Sequence, residues 1–441
     1  FYITKGLSSQ TGGAAVGVPG FLAGLWSLHK KYGKLPWPRL VIPAIQLAKK
    51  GFPVSGNWSE ITLQKKKNFN SKGISIFFKE KNPYLPGDIL KQSQMTKALK
   101  LVQRNPLKVF YGGPLGRDVV LTVTKNKGVI TKEDLKNYQV RWLEPVSVSF
   151  RDHKVYSMPL PSSGGIILAR ALKLMEKQKL HKKSLYSVEE LHLLGEIMAR
   201  AFRPRNLMGD PENFKDAIPN WLSEENLEEL NKTLSLKQVR YLSPLKESLE
   251  TTHISLMNNK GEAVAMTLTL NGFYGSGLVT EKYGIVLNNQ MDDFTTLPGK
   301  ANMYEMIQGQ KNQVKGGRTP LSSMTPVIVE RKGKTILALG GAGGPMIING
   351  VLQTLYRYIA NNLNIDQAIQ APRIHHQFIP RNLFVEEKRF NPDMILQLKM
   401  KGHKIRYREH IARVFGVALD RKNGWLSAGR EIRRESFAGG Y

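Results

Sequence analysis

The chain has 441 residues, 41% of them hydrophobic and 23% charged, which suffices for a packed core and excludes global disorder. It contains no cysteine, so disulfides, thiolate catalysis and cysteine-based metal sites are excluded. Lys and Arg number 65 against 35 Asp and Glu, a net charge of +30. The basic residues are spread along the chain, with short runs at Lys65–Lys67 and Lys399–Arg408, and since only Tyr407 interrupts the second, neither offers an interleaved row of aromatic stacking residues. A solvated basic surface is therefore expected rather than a specific nucleic-acid site. Apolar runs such as Gly164–Ala169 fall far short of the roughly 20 residues a membrane span needs. The chain opens on Phe1 without a charged-then-apolar leader, which reads as an N-terminally incomplete sequence.

In chain order, helical spacing predicts a helix over Phe21–Lys31, with Leu22, Leu25 and Leu28 on one face. A second opens at Trp37-Pro38 and stops at Gly51 and Pro53. Further helices are predicted over Leu99–Tyr111, Ile166–Leu180 and Val188–Phe202, and residues 205–250 read as helix fragments in an exposed linker. From Thr251 the texture turns to strands. Thr251–Met257 and Glu262–Asn271 flank Asn259-Lys260-Gly261, a three-residue hairpin loop with Gly at the left-handed position. Both alternating sets of the second strand are uncharged, so cover on both faces is expected. More strands are predicted at Gly284–Asn288, Thr325–Val329 and Thr335–Leu339, and a helix over Ile348–Asn361.

The hairpin has a definite register. If Asn258 faces Glu262, paired positions sum to 520, Thr251 lies opposite Thr269, and Asn271 follows two residues on along the same face. Four further segments carry polar groups suited to a small ligand, although each alone also reads as an ordinary turn or cap. Asn288–Asp293 groups amides and carboxylates at a strand end, suited to an ammonium. Ser322-Ser323 precedes a strand and suits a carboxylate. Gly340–Gly344 allows close backbone approach and N–H groups aimed at an anion, but no Lys-Ser/Thr follows, so a nucleotide loop is disfavoured. Pro159–Gly165 is another Gly/Ser turn opening a helix. His375-His376 has no third ligand suitably spaced, and packing or hydrogen bonding is expected there.

Together these segments resemble the gamma-glutamyltransferases. The resemblance rests on Thr251-Thr252-His253, Thr267–Asn271, Asn288–Phe294, Pro320–Met324 and Gly343-Gly344, in that family's order and spacing. Gly17–Gly20, Leu35–Trp37, Pro161–Gly165, Gly209–Pro211, Ala371–His376 and Ala438–Tyr441 support it. The resemblance implies an α/β N-terminal-nucleophile hydrolase, an αββα sandwich of two stacked antiparallel sheets between helical layers. It implies self-cleavage between Glu250 and Thr251, giving a large-subunit portion 1–250 and a small subunit 251–441 that stay together as a heterodimer. By the same resemblance Thr251 is the nucleophile, Thr269 orients it, and the Gly343 and Gly344 N–H groups hold the oxyanion. Asn271, Gln290 and Asp293 hold the substrate α-amino group, Ser322 and Ser323 its α-carboxylate, and Tyr304 covers the pocket. The implied substrates are glutathione and other γ-glutamyl compounds, with water, amino acids or dipeptides as acceptors. No metal or organic cofactor, no specific nucleic acid and no membrane span are implied, and the implied location is periplasmic or secreted.

Departures from the family pattern stand beside this. The family's upstream carboxylate-binding Arg has no counterpart here, and roughly a hundred residues of the usual large subunit are absent. Pro204 replaces an Asp, and Arg430–Arg433 stands where Asp-Pro-Arg is usual. The alternatives are an acylase or poly-γ-glutamate transpeptidase of the same fold, or an inactive basic homologue that binds polyanions.

Overall fold

The computed structural model describes residues 2–213, 220–235, 237–239, 251–296, 299, 302–304, 306, 309–379 and 381–440. The chain forms two compact units: Phe1–Trp142 with Thr269–Asp292, and Leu143–Leu268 with Asp293–Tyr441. The expected division at residue 250 is one of processing, and Glu250 lies outside the described residues.

The first unit is mainly helical. The helices Phe21–Tyr32 and Trp37–Lys50 form where the spacing predicts them, the second closed by Gly51 at φ 84°. The predicted Leu99–Tyr111 helix is instead two, Ser93–Arg104 and Pro106–Tyr111. Pro106 cannot continue the first helix, and the Asn105 side chain caps the second by accepting from Lys108 N. Apolar side chains of Ser93–Arg104, Pro106–Tyr111 and Pro114–Lys125 meet Leu278, Tyr283 and Leu287 in one buried cluster. The 269–292 segment is fixed there by Asp118, which accepts from Lys282 N and Tyr283 N at 3.1 and 3.0 Å. The strand expected at Gly284–Asn288 is not formed. Val286 makes a single bridge to Val279, because the segment folds back within its own loop rather than along a sheet edge.

The second unit is built on a six-stranded antiparallel sheet. Its order is Leu426–Gly429, Arg413–Leu419, Lys334–Ala342, Val327–Arg331, His153–Ser157 and Val146–Phe150. The last two strands lie in the half that reads as mostly helical in sequence. They join the sheet because His153–Ser157 pairs in register with Val327–Arg331 and buries Val155 and Phe150. The helices Gly164–Lys177, Val188–Phe202 and Met346–Ala360 pack against this core, which gathers Leu168, Leu172, Leu194, Ile197, Leu337, Leu339, Val351 and Leu355.

The predicted hairpin forms on the same sheet. Thr252–Met257 pairs with Ala263–Leu268 in the expected register, Thr252 opposite Leu268 and His253 opposite Thr267. Gly261 takes φ 85°, and Asn258 N donates to Glu262 O at 3.1 Å. The inward face lies on the large sheet. A Cβ on Gly340 would overlap the His253 ring, and Ser255 Oγ donates to Phe415 O at 3.2 Å. The outward face is not covered as expected: Ile254, Leu256 and Val264 are exposed, since neutral side chains alone do not recruit a covering layer. Within the expected linker, Arg205, Met208, Asp210, Trp221, Leu227 and Leu230 are buried, so these parts are core rather than exposed.

Candidate active site

Thr251 is the residue before the hairpin ladder, and its carbonyl accepts from Arg413 Nη2 at 3.4 Å. Two residues on, His253 is buried between Thr267 Oγ1 at 2.7 Å and Ser255 Oγ at 3.0 Å. Burial pulls its pKa down to about 4, so the ring is neutral at pH 7. A histidine committed in this way serves the hairpin and leaves proton transfer at Thr251 to another group.

The glycine run is divided by the sheet. Gly340, Gly341 and Ala342 complete the Lys334–Ala342 strand, whereas Gly343 and Gly344 turn out of it at φ 135° and 54°. Both conformations favour glycine. Gly344 also has no room for a side chain, because a Cβ there would lie 2.8 Å from the Tyr304 ring. The expected lid aromatic and the expected oxyanion loop are thus in contact, with Tyr304 buried over the glycine.

Ser322 and Ser323 sit on a loop clasped by the Pro159–Gly165 turn. Ser322 N donates to Pro161 O at 2.8 Å, and Ser163 donates to Ser322 O from both N and Oγ at 2.9 Å. Ser162 Oγ reaches Met324 O at 2.7 Å. This explains the second Gly/Ser turn: it holds the serine pair and starts the Gly164–Lys177 helix.

Asp293 ends the 3₁₀ turn Gln290–Asp293. Its carbonyl accepts from Asn312 Nδ2 at 2.7 Å, and Asn312 Oδ1 accepts from Leu321 N at 2.9 Å. One buried amide therefore ties the Asp293 segment to the residue before the serine pair. Gly209-Asp210 braces the same region. A Cβ on Gly209 would meet Lys311 O at 2.4 Å, and Asp210 accepts from Thr319 N at 2.7 Å.

In the first unit, Thr269, Asn271 and Gln290 gather around Asn288-Asn289. Asn271 is not the continuation of the strand that alternation suggests. The strand ends at Leu268, and Asn271 turns to φ 72°, a conformation Asn tolerates, so that its N–H reaches Thr269 Oγ1 at 2.8 Å. Its side chain donates to Asn289 O at 3.0 Å and is buried. Gln290 N donates to Asn288 Oδ1 at 2.9 Å, and Asn288 also pairs with both backbone groups of Gly17.

The family model for gamma-glutamyltranspeptidase matches residues 2–441. The chain belongs to the gamma-glutamyltranspeptidase family. It is 37% identical over 417 residues to the glutathione hydrolase proenzyme of Escherichia coli, covering 91% of this chain and 71% of that one. The glutathione hydrolase proenzyme of Pseudomonas aeruginosa is 36% identical over 383 residues, covering 85% and 68%. Among solved structures, the cephalosporin acylase of Bacillus halodurans superposes with a TM-score of 0.85 at 24% identity, covering 98% of this chain and 80% of that one. The fold is accordingly that of an N-terminal-nucleophile hydrolase, and the chain is a gamma-glutamyltransferase-type enzyme.

Two residues of the site region, Arg205 and Asn312, are not legible from motif reading. Arg205 is buried against Ser163 and Ser323, donating from Nε at 3.1 Å and Nη2 at 3.0 Å. Asn312 is the staple described above, and Ser163 is the clasp. Only Ser163 carried a sequence signal, through its Gly/Ser turn. His375 and His376 are buried, with His375 held between Asn349 Nδ2 at 2.8 Å and Gln377 Oε1 at 2.9 Å. Among the described residues no group of three His, Asp or Glu is arranged to hold a metal ion.

Proposed function

We propose that this transferase cleaves γ-glutamyl amides, glutathione among them, through a threonyl acyl-enzyme on Thr251 and passes the γ-glutamyl group to water or to an amino acid or dipeptide. Cleavage between Glu250 and Thr251 would free an α-amine, with an ordinary pKa of about 7.7–8.0, beside the threonine hydroxyl. The amine takes the hydroxyl proton as Oγ attacks the γ-carbonyl, and returns it to the departing amine. Gly343 and Gly344 N–H groups would hold the oxyanion. Water or an acceptor amine then attacks the ester and releases Thr251. Thr269 orients the nucleophile, Asn271, Gln290 and Asp293 take the donor's ammonium, Ser322 and Ser323 take its carboxylate, and Tyr304 closes over it.

The observation that carries this reading is the Asn312 staple. A donor with a free α-amino acid end needs an acid for its ammonium and hydroxyls for its carboxylate, held at fixed separation. Asp293 and Ser322-Ser323 lie on two segments joined through one buried side chain. The heterodimer reading is supported by the large sheet, where strands from residues 146–157 pair with strands from beyond residue 251. Products 1–250 and 251–441 would share one core. A periplasmic or secreted location is the expectation that the family resemblance carries. Among the described residues no helix is long and apolar enough to cross a membrane. The test is a denaturing gel with N-terminal sequencing, combined with release of chromophore from a γ-glutamyl anilide. Two bands, one beginning at Thr251, together with turnover are expected. A single uncut band without turnover would overturn the reading.

A further inference from the structure

Arg205 is a guanidinium with 5% of its surface exposed, placed by the 3₁₀ turn Arg203–Leu207. Pro204 is the second residue of that turn, within the first turn where a proline's missing N–H is tolerated. Placing a cation in so desolvated a position is costly unless it is met by well-oriented acceptors. Burial pulls the Arg205 pKa down to about 10, and the Asp293 carboxylate opposes the shift, so the group stays charged at neutral pH.

The hydrogen bonds define a direction. Ser323 Oγ accepts from Arg205 Nη2, so the single hydroxyl proton of Ser323 is directed to another acceptor. Ser163 Oγ accepts from Arg205 Nε and donates to Ser322 O, so the same guanidinium also fixes the backbone of the serine pair. A donor carries the complementary pair on one carbon, an ammonium for Asp293 and a carboxylate for Ser323.

We propose that Arg205 is a positioning residue for the donor's α-carboxylate: it orients Ser323 and supplies the positive charge behind that hydroxyl. The inference rests on the assignment of Ser322-Ser323 as the carboxylate subsite. It adds a residue that acts through Ser323 and makes the α-carboxylate charge, beyond its hydrogen-bonding shape, a determinant of donor choice.

The experiment compares the full chain with Arg205→Gln and Arg205→Lys on two chromogenic donors. One is γ-glutamyl p-nitroanilide and the other is the same compound with the α-carboxylate replaced by a carboxamide. Melting temperature and cleavage at Thr251 are followed alongside kcat and KM. The parent should prefer the carboxylate donor. Arg205→Gln should raise KM for that donor about ten- to hundredfold, the span of a charged hydrogen bond. The carboxamide donor should change little in either constant, and Arg205→Lys should recover part of the preference. Retention of the parent's preference by Arg205→Gln would overturn the inference. So would equal loss on both donors, or failure of both variants to fold, since Arg205 would then serve the core alone. A parent active on both donors without preference also overturns it while leaving the transferase reading intact. A parent inactive on both overturns the transferase reading and the inference together.

Discussion

Arg373 Nη1 donates to Glu431 Oε2 at 3.1 Å, with both side chains 1% exposed or less. Glu431 Oε2 also accepts from Val414 N at 2.8 Å, and Arg433 reaches both Glu431 and Glu386. The C-terminal segment that departs from the family pattern in sequence thus supplies an acid and a base to a buried four-charge cluster. Burial works against the Glu431 carboxylate, but the Arg373 and Arg433 guanidiniums outweigh it and hold its pKa below the usual range. Arg373 Nη1 also holds Ala412 O at 3.2 Å, and Ala412 lies against Gly343.

Removing one partner of this cluster should therefore be costly. Glu431→Ala strands Arg373 without its acid, and a loss of about 3–5 kcal/mol is expected. Chemical denaturation of parent and variant measures it. A loss below about 1 kcal/mol, the range of an exposed pair, would mean that the cluster is solvated in solution.

The buried histidines set an acid limit on stability. His375 Nδ1 faces the Asn349 amide donor and Nε2 faces the Gln377 carbonyl, an arrangement that suits only the neutral ring with the proton on Nε2. Burial pulls His375 and His253 down to about 4 and His403 to about 3. Between an unfolded pKa of about 6.5 and the folded value, the unfolded chain binds a proton that the folded chain does not. Stability is then fully present above about pH 6.5 and is lost as pH falls through the folded values, on the order of 3 kcal/mol for each such group. Melting temperature should fall steadily from pH 7 to pH 4, and His375→Asn should show a shallower slope. A flat profile over that window would show these rings to be open to water.

Thr251 supplies both the hydroxyl and the new terminus in the proposed mechanism. Thr251→Ala should abolish self-cleavage and turnover together. Thr251→Ser should keep part of each, because the hydroxyl survives. Mass spectrometry of the purified chains reads the cut directly, and normal processing of the Ala variant would place the nucleophile elsewhere.

Asp293 is buried and is proposed to receive the donor's ammonium. Asp293→Asn should leave the cut at Thr251 intact. Losing one partner of a buried charge pair typically costs about 2–5 kcal/mol, or roughly 30- to several-thousand-fold in kcat/KM. Steady-state rates on a γ-glutamyl anilide decide the point, and an unchanged kcat/KM would assign the ammonium to another group.

The sequence by itself determined the local features. Helical spacing located Phe21–Tyr32, Val188–Phe202 and Met346–Ala360 to within two residues. Loop chemistry at Asn259–Gly261 set the register of the hairpin, because a three-residue loop with a left-handed glycine admits one pairing. Family membership was legible in the order and spacing of short motifs. Tertiary structure alone decided the rest. Val146–Ser157 becomes the last two strands of the large sheet because the Val327–Arg331 strand is there to pair with His153–Ser157, 170 or more residues away. Asn271 leaves the strand because Thr269 and Asn289 offer it hydrogen bonds that alternation does not register. Arg205, Asn312 and Glu431 carry no motif that distinguishes them from surface polar residues. What makes each one matter is a partner distant in sequence inside a desolvated core, where an unmet charge or amide is costly and a met one fixes its neighbours.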